Sequence, residues 1–182
     1  RVNILLKKKN VILIGVAGGS ASGKTTIAKL LSKGKNRKIL LMDDYYIGIN
    51  KMKDLNFDKP NDIDIKLLKQ HLKILKKGRT IKKPKYSYII HKRIGYEKFN
   101  SAKVIILDGL FALNKILIKE LDIKVFCDVP EKERLRRRIK RDILERGRTK
   151  KQIIEQWNET VEPMFRKYIL PSKKFADFII RN

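Results

Sequence analysis

The chain has 182 residues, of which 45 are Lys or Arg and 19 are Asp or Glu, for a formal net charge of +26. That length suits a single domain, 1–182, with a full core, no apolar run approaches the ~20 residues of a membrane span, and a single cysteine, Cys127, excludes an internal disulfide. The charge permits nucleic-acid contact, yet lysine is scattered through every segment, so the expectation is nonspecific, salt-sensitive binding in a cytoplasmic protein with no membrane partner.

The chain opens on Arg1, so a few natural residues are expected to precede it. The first element is a continuous apolar run over 11–16, as in strands buried on both faces. It leads into Gly18, Gly19, Ser20, Ala21, Ser22, Gly23, Lys24 and Thr25, which fit G-x-x-x-x-G-K-[ST]. A helical pattern over 23–32 follows, so the motif has the strand–loop–helix context it needs. Its glycines let backbone N–H groups wrap phosphate oxygens, and the helix N-terminus adds positive charge. Lys24 is placed to reach the β- and γ-phosphates, and Thr25 to offer a hydroxyl to Mg²⁺.

A second strand over 38–42 ends in Asp43-Asp44. Carboxylates at strand ends beside such a loop can hold Mg²⁺, position its waters or accept a proton. Asp44 reads equally well as a turn or cap residue. The segment 45–103 is an insertion, with a helix over 65–76 and weakly alternating flanks at 79–84 and 95–99 that predict a projecting hairpin. Between the flanks lie Tyr86, Tyr88, His91 and Arg93, aromatics interleaved with groups able to bond a base edge.

The third strand, 104–107, runs into Asp108, four apolar residues and then an acid. A fourth strand spans 123–127 and a last one 178–180. Helices are predicted over 131–145 and 150–168. The first of these carries Arg134, Arg136, Arg137, Arg138 and Arg141, followed by Arg146-Gly147-Arg148. Arginine replaces lysine here, and its planar fork grips phosphate oxygens in pairs. Arg134, Arg138 and Arg141 share one helix face. Residues 134–150 therefore read as a mobile lid that brings charge onto a triphosphate. Strands alternating with helices give an α/β fold of the P-loop NTPase type: a five-stranded parallel sheet flanked by helices, with an inserted hairpin arm and an Arg-rich lid.

These landmarks, with Asn56-Phe57-Asp58-Lys59-Pro60, Gln156 and the run 171–177, resemble the uridine kinase (uridine–cytidine kinase) family of P-loop nucleoside kinases over nearly the whole chain. The resemblance implies transfer of phosphate from ATP or GTP, with Mg²⁺, to the 5′-hydroxyl of uridine or cytidine. It implies Asp43 as the base, 18–26 (through Thr26) as the triphosphate loop, and Lys24, Arg138, Arg141 and Arg146 on phosphates. It implies Tyr46, Phe57 and Asp58 on the ribose, Tyr86, Tyr88, His91, Arg148 and Gln156 on the pyrimidine, and Thr25, Asp108 (through a water) and Asp43 at the metal. It also implies a homo-oligomer, commonly a tetramer. The family usually has glutamate where Asp108 stands and aspartate where Ser87 stands. Two alternatives stay open: a kinase of another alcohol, of the pantothenate or ribulose-phosphate type, and a basic nucleic-acid-associated NTPase.

Overall fold

The structure, a computed structural model, describes residues 10–48 and 56–181. Five parallel strands form the central sheet: β1 (Ile12–Gly18), β2 (Arg37–Leu41), β5 (Val104–Asp108), β6 (Ile123–Asp128) and β7 (Phe178–Arg181), in the order β2-β5-β1-β6-β7. All seven residues of β1 and all five of β5 are buried, as central strands covered on both faces must be. Alternation along β1 divides the core. Leu13 and Ala17 face a cluster completed by Leu68, Leu72 and Leu75 of helix α2 (Ile65–Lys76), whereas Ile12, Ile14 and Val16 face Ala28 of helix α1 (Lys24–Ser32). Cys127 lies in this second cluster as a small apolar filler.

The predicted insertion hairpin is present and longer than its alternating flanks. It comprises β3 (Ile81–Ser87) and β4 (Lys92–Phe99), paired from Ile81↔Phe99 to Ser87↔Lys92 with a bulge between Lys85 and Tyr86. Pro84 sits inside β3, opposite Tyr96. A two-stranded ribbon has two edges, so its missing N–H can face away from the partner strand. Polar groups fasten the arm to the body. Lys83 pairs with both Asp44 and Glu97. Arg93 donates from Nε to the Tyr46 carbonyl at 2.8 Å and from Nη2 to the Tyr45 carbonyl at 2.9 Å, with Asp64 at 3.4 Å. Asp44 is thus an anchor, and Arg93, grouped with the base-reading residues on sequence, is occupied as a clamp.

Helix α3 (Glu131–Arg146) ends at Gly147, whose φ of +62° is left-handed. The helix expected over 150–168 is irregular. Helix α4 (Lys150–Gln156) begins with a Thr149–Gln152 capping box and then widens into π-helical turns at Trp157–Val161 and Phe165–Ile169. Pro163 lies between these turns. It offers no N–H and crowds the preceding turn, and wider turns relieve that crowding. No described helix is long and apolar enough to cross a membrane.

Candidate active site

Strand register builds the triphosphate end of the site. Val16 of β1 pairs with Asp108 of β5, and Asp108 pairs with Leu41 of β2. Asp43 follows two residues later on a 3₁₀ turn, Met42–Tyr45. The loop leaves β1 at Gly18, where φ is +150° and a Cβ would lie 2.6 Å from the Cys127 carbonyl oxygen. Only glycine fits there. The loop then closes through Ser22 N–H to the Gly19 carbonyl at 3.2 Å. Lys24 opens α1 and donates to the Gly19 carbonyl at 3.1 Å. Desolvation lowers its pKa, and the carboxylates of Asp108 and Asp43 oppose that shift. The Asp43 carboxyl is pushed up to about 6, chiefly by desolvation, with Lys24 opposing.

Thr25 donates to Asp108 Oδ2 at 2.7 Å, while Asp108 Oδ1 is buried and accepts no hydrogen bond. A hydroxyl, an acid and a spare buried oxygen fit one hard divalent cation. Among the described residues no group of three or more His, Cys, Asp or Glu is placed to hold a metal. Mg²⁺ takes one or two protein ligands and completes its shell with water and substrate phosphates.

The insertion residues come together as one aromatic wall. Tyr46 meets Phe57 edge-on at 5.5 Å between centroids and Tyr86 at 5.6 Å. Phe57 lies 4.8 Å from the His91 ring, and Tyr86 meets Tyr88 at 5.4 Å. The Tyr46 hydroxyl donates to the Phe57 carbonyl at 2.7 Å and fixes that corner. Two polar atoms of the wall, the Tyr86 hydroxyl and His91 Nδ1, are buried with no hydrogen-bond partner. His91 holds a left-handed φ of +49°, unusual for a residue with a Cβ. The wall lies within electrostatic reach of Asp43. Desolvation raises the Tyr86 phenol, and the Asp43 charge adds to it. Desolvation also raises the buried Asp58 carboxyl, against the charges of Arg138 and Lys24. Asp58 therefore stands within electrostatic reach of both phosphate-side cations.

The predicted lid arginines separate into two sets. Arg134 turns into the core. It donates to Glu162 at 2.8 Å, stacks 3.9 Å from the Phe165 centroid, and packs behind Gly19. Its place on the phosphate-binding face is not realised, because its guanidinium is taken by the Val129 carbonyl and by Glu162 and Phe165 of the irregular C-terminal helix, which a helical wheel does not show. Arg138 does face the loop, donating from Nη1 to Ser20 Oγ at 3.0 Å and from Nη2 to Gln156 Oε1 at 2.8 Å. Arg148 donates to the same Gln156 oxygen at 2.6 Å. Gln156 and Arg148 are thus joined to Arg138 through one shared acceptor oxygen. Arg141 and Arg146 lie beside Asp142, a fully buried carboxylate that sequence reading passed over. Its spacing, four residues from both Arg138 and Arg146, was the available signal.

The profile of the phosphoribulokinase/uridine kinase family matches residues 13–182. Uridine-cytidine kinase A of Dictyostelium discoideum is 41% identical over 94% of this chain, which spans only 36% of that protein. A uridine kinase of Ligilactobacillus salivarius is 40% identical, over 96% of this chain and 86% of its own length. The structure of phosphoribulokinase from Rhodobacter spheroides superposes with a TM-score of 0.69 at 14% identity, over 94% of this chain and 70% of that one. That last likeness concerns the fold alone.

Proposed function

The chain belongs to the phosphoribulokinase/uridine kinase family, and we propose that it transfers the terminal phosphoryl group of ATP or GTP to the 5′-hydroxyl of uridine or cytidine. The observation that carries this reading is the aromatic wall of Tyr46, Phe57, Tyr86, Tyr88 and His91, with two unpartnered polar atoms, within reach of Asp43. A planar base with donors and acceptors on its edge suits such a wall. A pantothenate or a ribulose phosphate has no base to stack.

In this reading the loop 18–26 wraps the phosphates with N–H groups, and Lys24 bridges them. Asp58 takes the ribose hydroxyls, with Tyr46 and Phe57 holding the sugar. Asp43 orients the 5′-hydroxyl and accepts its proton. Arg138, Arg141 and Arg146 offer donors to the oxygens on which charge gathers during transfer. Thr25 and Asp43, with Asp108 through a water, would hold Mg²⁺; when bound, it neutralises phosphate charge and fixes the triphosphate's orientation. The reading carries with it cytoplasmic pyrimidine salvage and a homo-oligomer, tetrameric as the resemblance implies, which light scattering on a sizing column tests.

The deciding experiment measures release of ADP from ATP, or of GDP from GTP, with Mg²⁺ across uridine, cytidine, adenosine, guanosine, pantothenate and ribulose 5-phosphate. Turnover dependent on uridine or cytidine is expected. Turnover with only pantothenate or the sugar phosphate overturns the pyrimidine assignment. ATP hydrolysis stimulated by RNA and indifferent to nucleosides overturns the kinase reading.

A further inference from the structure

We propose that Asp142 is the positioning residue of the phosphate-binding arginines, a buried anionic hub that holds their guanidinium groups in place before the triphosphate arrives. The proposal rests on the kinase reading above. Asp142 lies in the last turns of α3 and has no exposed surface. Four cations converge on it. Arg141 donates from Nε to Oδ1 at 2.8 Å, with Nη2 at the same distance. Arg146 Nη1 stands 3.5 Å from Oδ1, Arg138 Nε 3.3 Å from Oδ2, and Arg148 Nη1 3.8 Å from Oδ2. Two of these, Arg138 and Arg148, are also joined through Gln156 Oε1.

Stoichiometry gives the hub its role. Each guanidinium has five N–H groups, so one or two turned toward Asp142 leave the others for phosphate oxygens. Arg138 already spends one of these on Ser20 of the loop. Without the central carboxylate, four like charges around one buried point repel and turn toward water. The backbone contributes to the same point. The N–H groups of Gly147 and Arg148 both donate to the Asp142 carbonyl, so the turn carrying Arg146 and Arg148 is built on this residue as well.

Two consequences of removing the charge oppose each other, and this makes the role testable. Loss of a negative charge beside the triphosphate favours ground-state binding. Loss of orientation weakens donors whose value is greatest in the transition state. Asp142→Asn is therefore expected to bind the unreactive analogue adenosine 5′-(β,γ-imido)triphosphate with full stoichiometry and a Kd within about threefold of wild type, while kcat falls about 10-fold or more. A purely structural defect would lower the bound stoichiometry and kcat together.

The experiment pairs calorimetry with that analogue and kcat for Asp142→Asn in the wild-type and Arg141→Ala backgrounds. The expected result is non-additivity, because the hub acts through Arg141: the factor lost on Asp142→Asn shrinks severalfold when Arg141 is already gone. Wild-type kcat in a stoichiometric Asp142→Asn protein overturns the proposal, and so does the same full factor in both backgrounds. Should Asp142→Asn not fold, Asp142→Glu replaces it. That variant keeps the charge and displaces the oxygens by one methylene, so kcat should fall with analogue binding kept, and wild-type kcat would overturn the proposal. Each protein is assayed for phosphate transfer to uridine and for ATP hydrolysis by water. If wild type hydrolyses ATP but ignores uridine and cytidine, the pyrimidine reading fails while the hydrolysis comparison still tests the hub.

Discussion

At Asp43 two influences oppose each other: desolvation raises the carboxyl pKa to about 6 and the Lys24 ammonium pulls it down. A base must be ionised to accept a proton, so kcat/KM for the nucleoside should rise with pH through about 6 and level off above it. Asp43→Asn should lose that acidic limb and about 10²-fold in kcat while keeping analogue affinity. A kcat within a few-fold of wild type would remove Asp43 from the role. His91 makes a second residue-level test. Its left-handed backbone means that His91→Gly deletes the ring and relieves strain, so stability should hold. KM for uridine should rise about 10- to 100-fold, the cost of one buried polar contact left unmade, with KM for ATP unmoved. Unchanged uridine KM in the stable variant would leave the base to Tyr86. The loop residues and Asp43 were legible because signature spacing and strand ends define them locally. Asp142 was not. A lone acid among arginines reads as a solvated partner, and its complete burial depends on packing that the sequence does not display.

The hairpin arm was legible as an element, but its attachment was not, since Arg93 reaches Tyr45, Tyr46 and Asp64 across 29 to 48 residues of chain. The attachment also orients the wall, because Tyr46 is both clamped by Arg93 and stacked on Tyr86. Arg93→Ala should therefore cost about 2 kcal/mol of stability, the scale of hydrogen bonds from a charged donor. It should also raise KM for the nucleoside without moving KM for ATP, measured below the shifted Tm. A parallel rise in both constants would mean that the arm and the loop are coupled. Helix α3 shows the converse case. Its boundaries were foreseen almost to the residue, whereas one of its arginines had been given the wrong partner. Arg134 joins Glu162 and the Phe165 ring on the irregular helix. Arg134→Met should destabilise the fold by about 3 kcal/mol, because it leaves Glu162 buried with only Arg166 for company. Loss of kcat with unaltered thermal stability would instead return Arg134 to the phosphates.

Across the whole molecule a charge of +26 acts on everything the local sites do. Much of it is lysine spread through every segment, while arginine is concentrated at the triphosphate end, where it is held by specific partners such as Ser20, Gln156 and Asp142. The two populations should respond differently to salt. Dispersed surface lysines interact with polyanions through counterion release, so binding of an arbitrary RNA should be measurable near 50 mM salt and fall steeply by 200 mM. Asp142 is buried and three of its four arginines are mostly so, and such pairs are screened less than exposed ones, so triphosphate KM should change less over the same interval. RNA is then expected to act at low salt as a weak inhibitor, by crowding the approach to the site, and never as an activator. Fluorescence anisotropy of a labelled RNA against salt, run beside ATP turnover with and without that RNA, measures both arms. RNA binding that persists at 200 mM salt and accelerates ATP hydrolysis would show that the surface charge serves a nucleic-acid partner, and the site would then have to be read as the motor of that interaction.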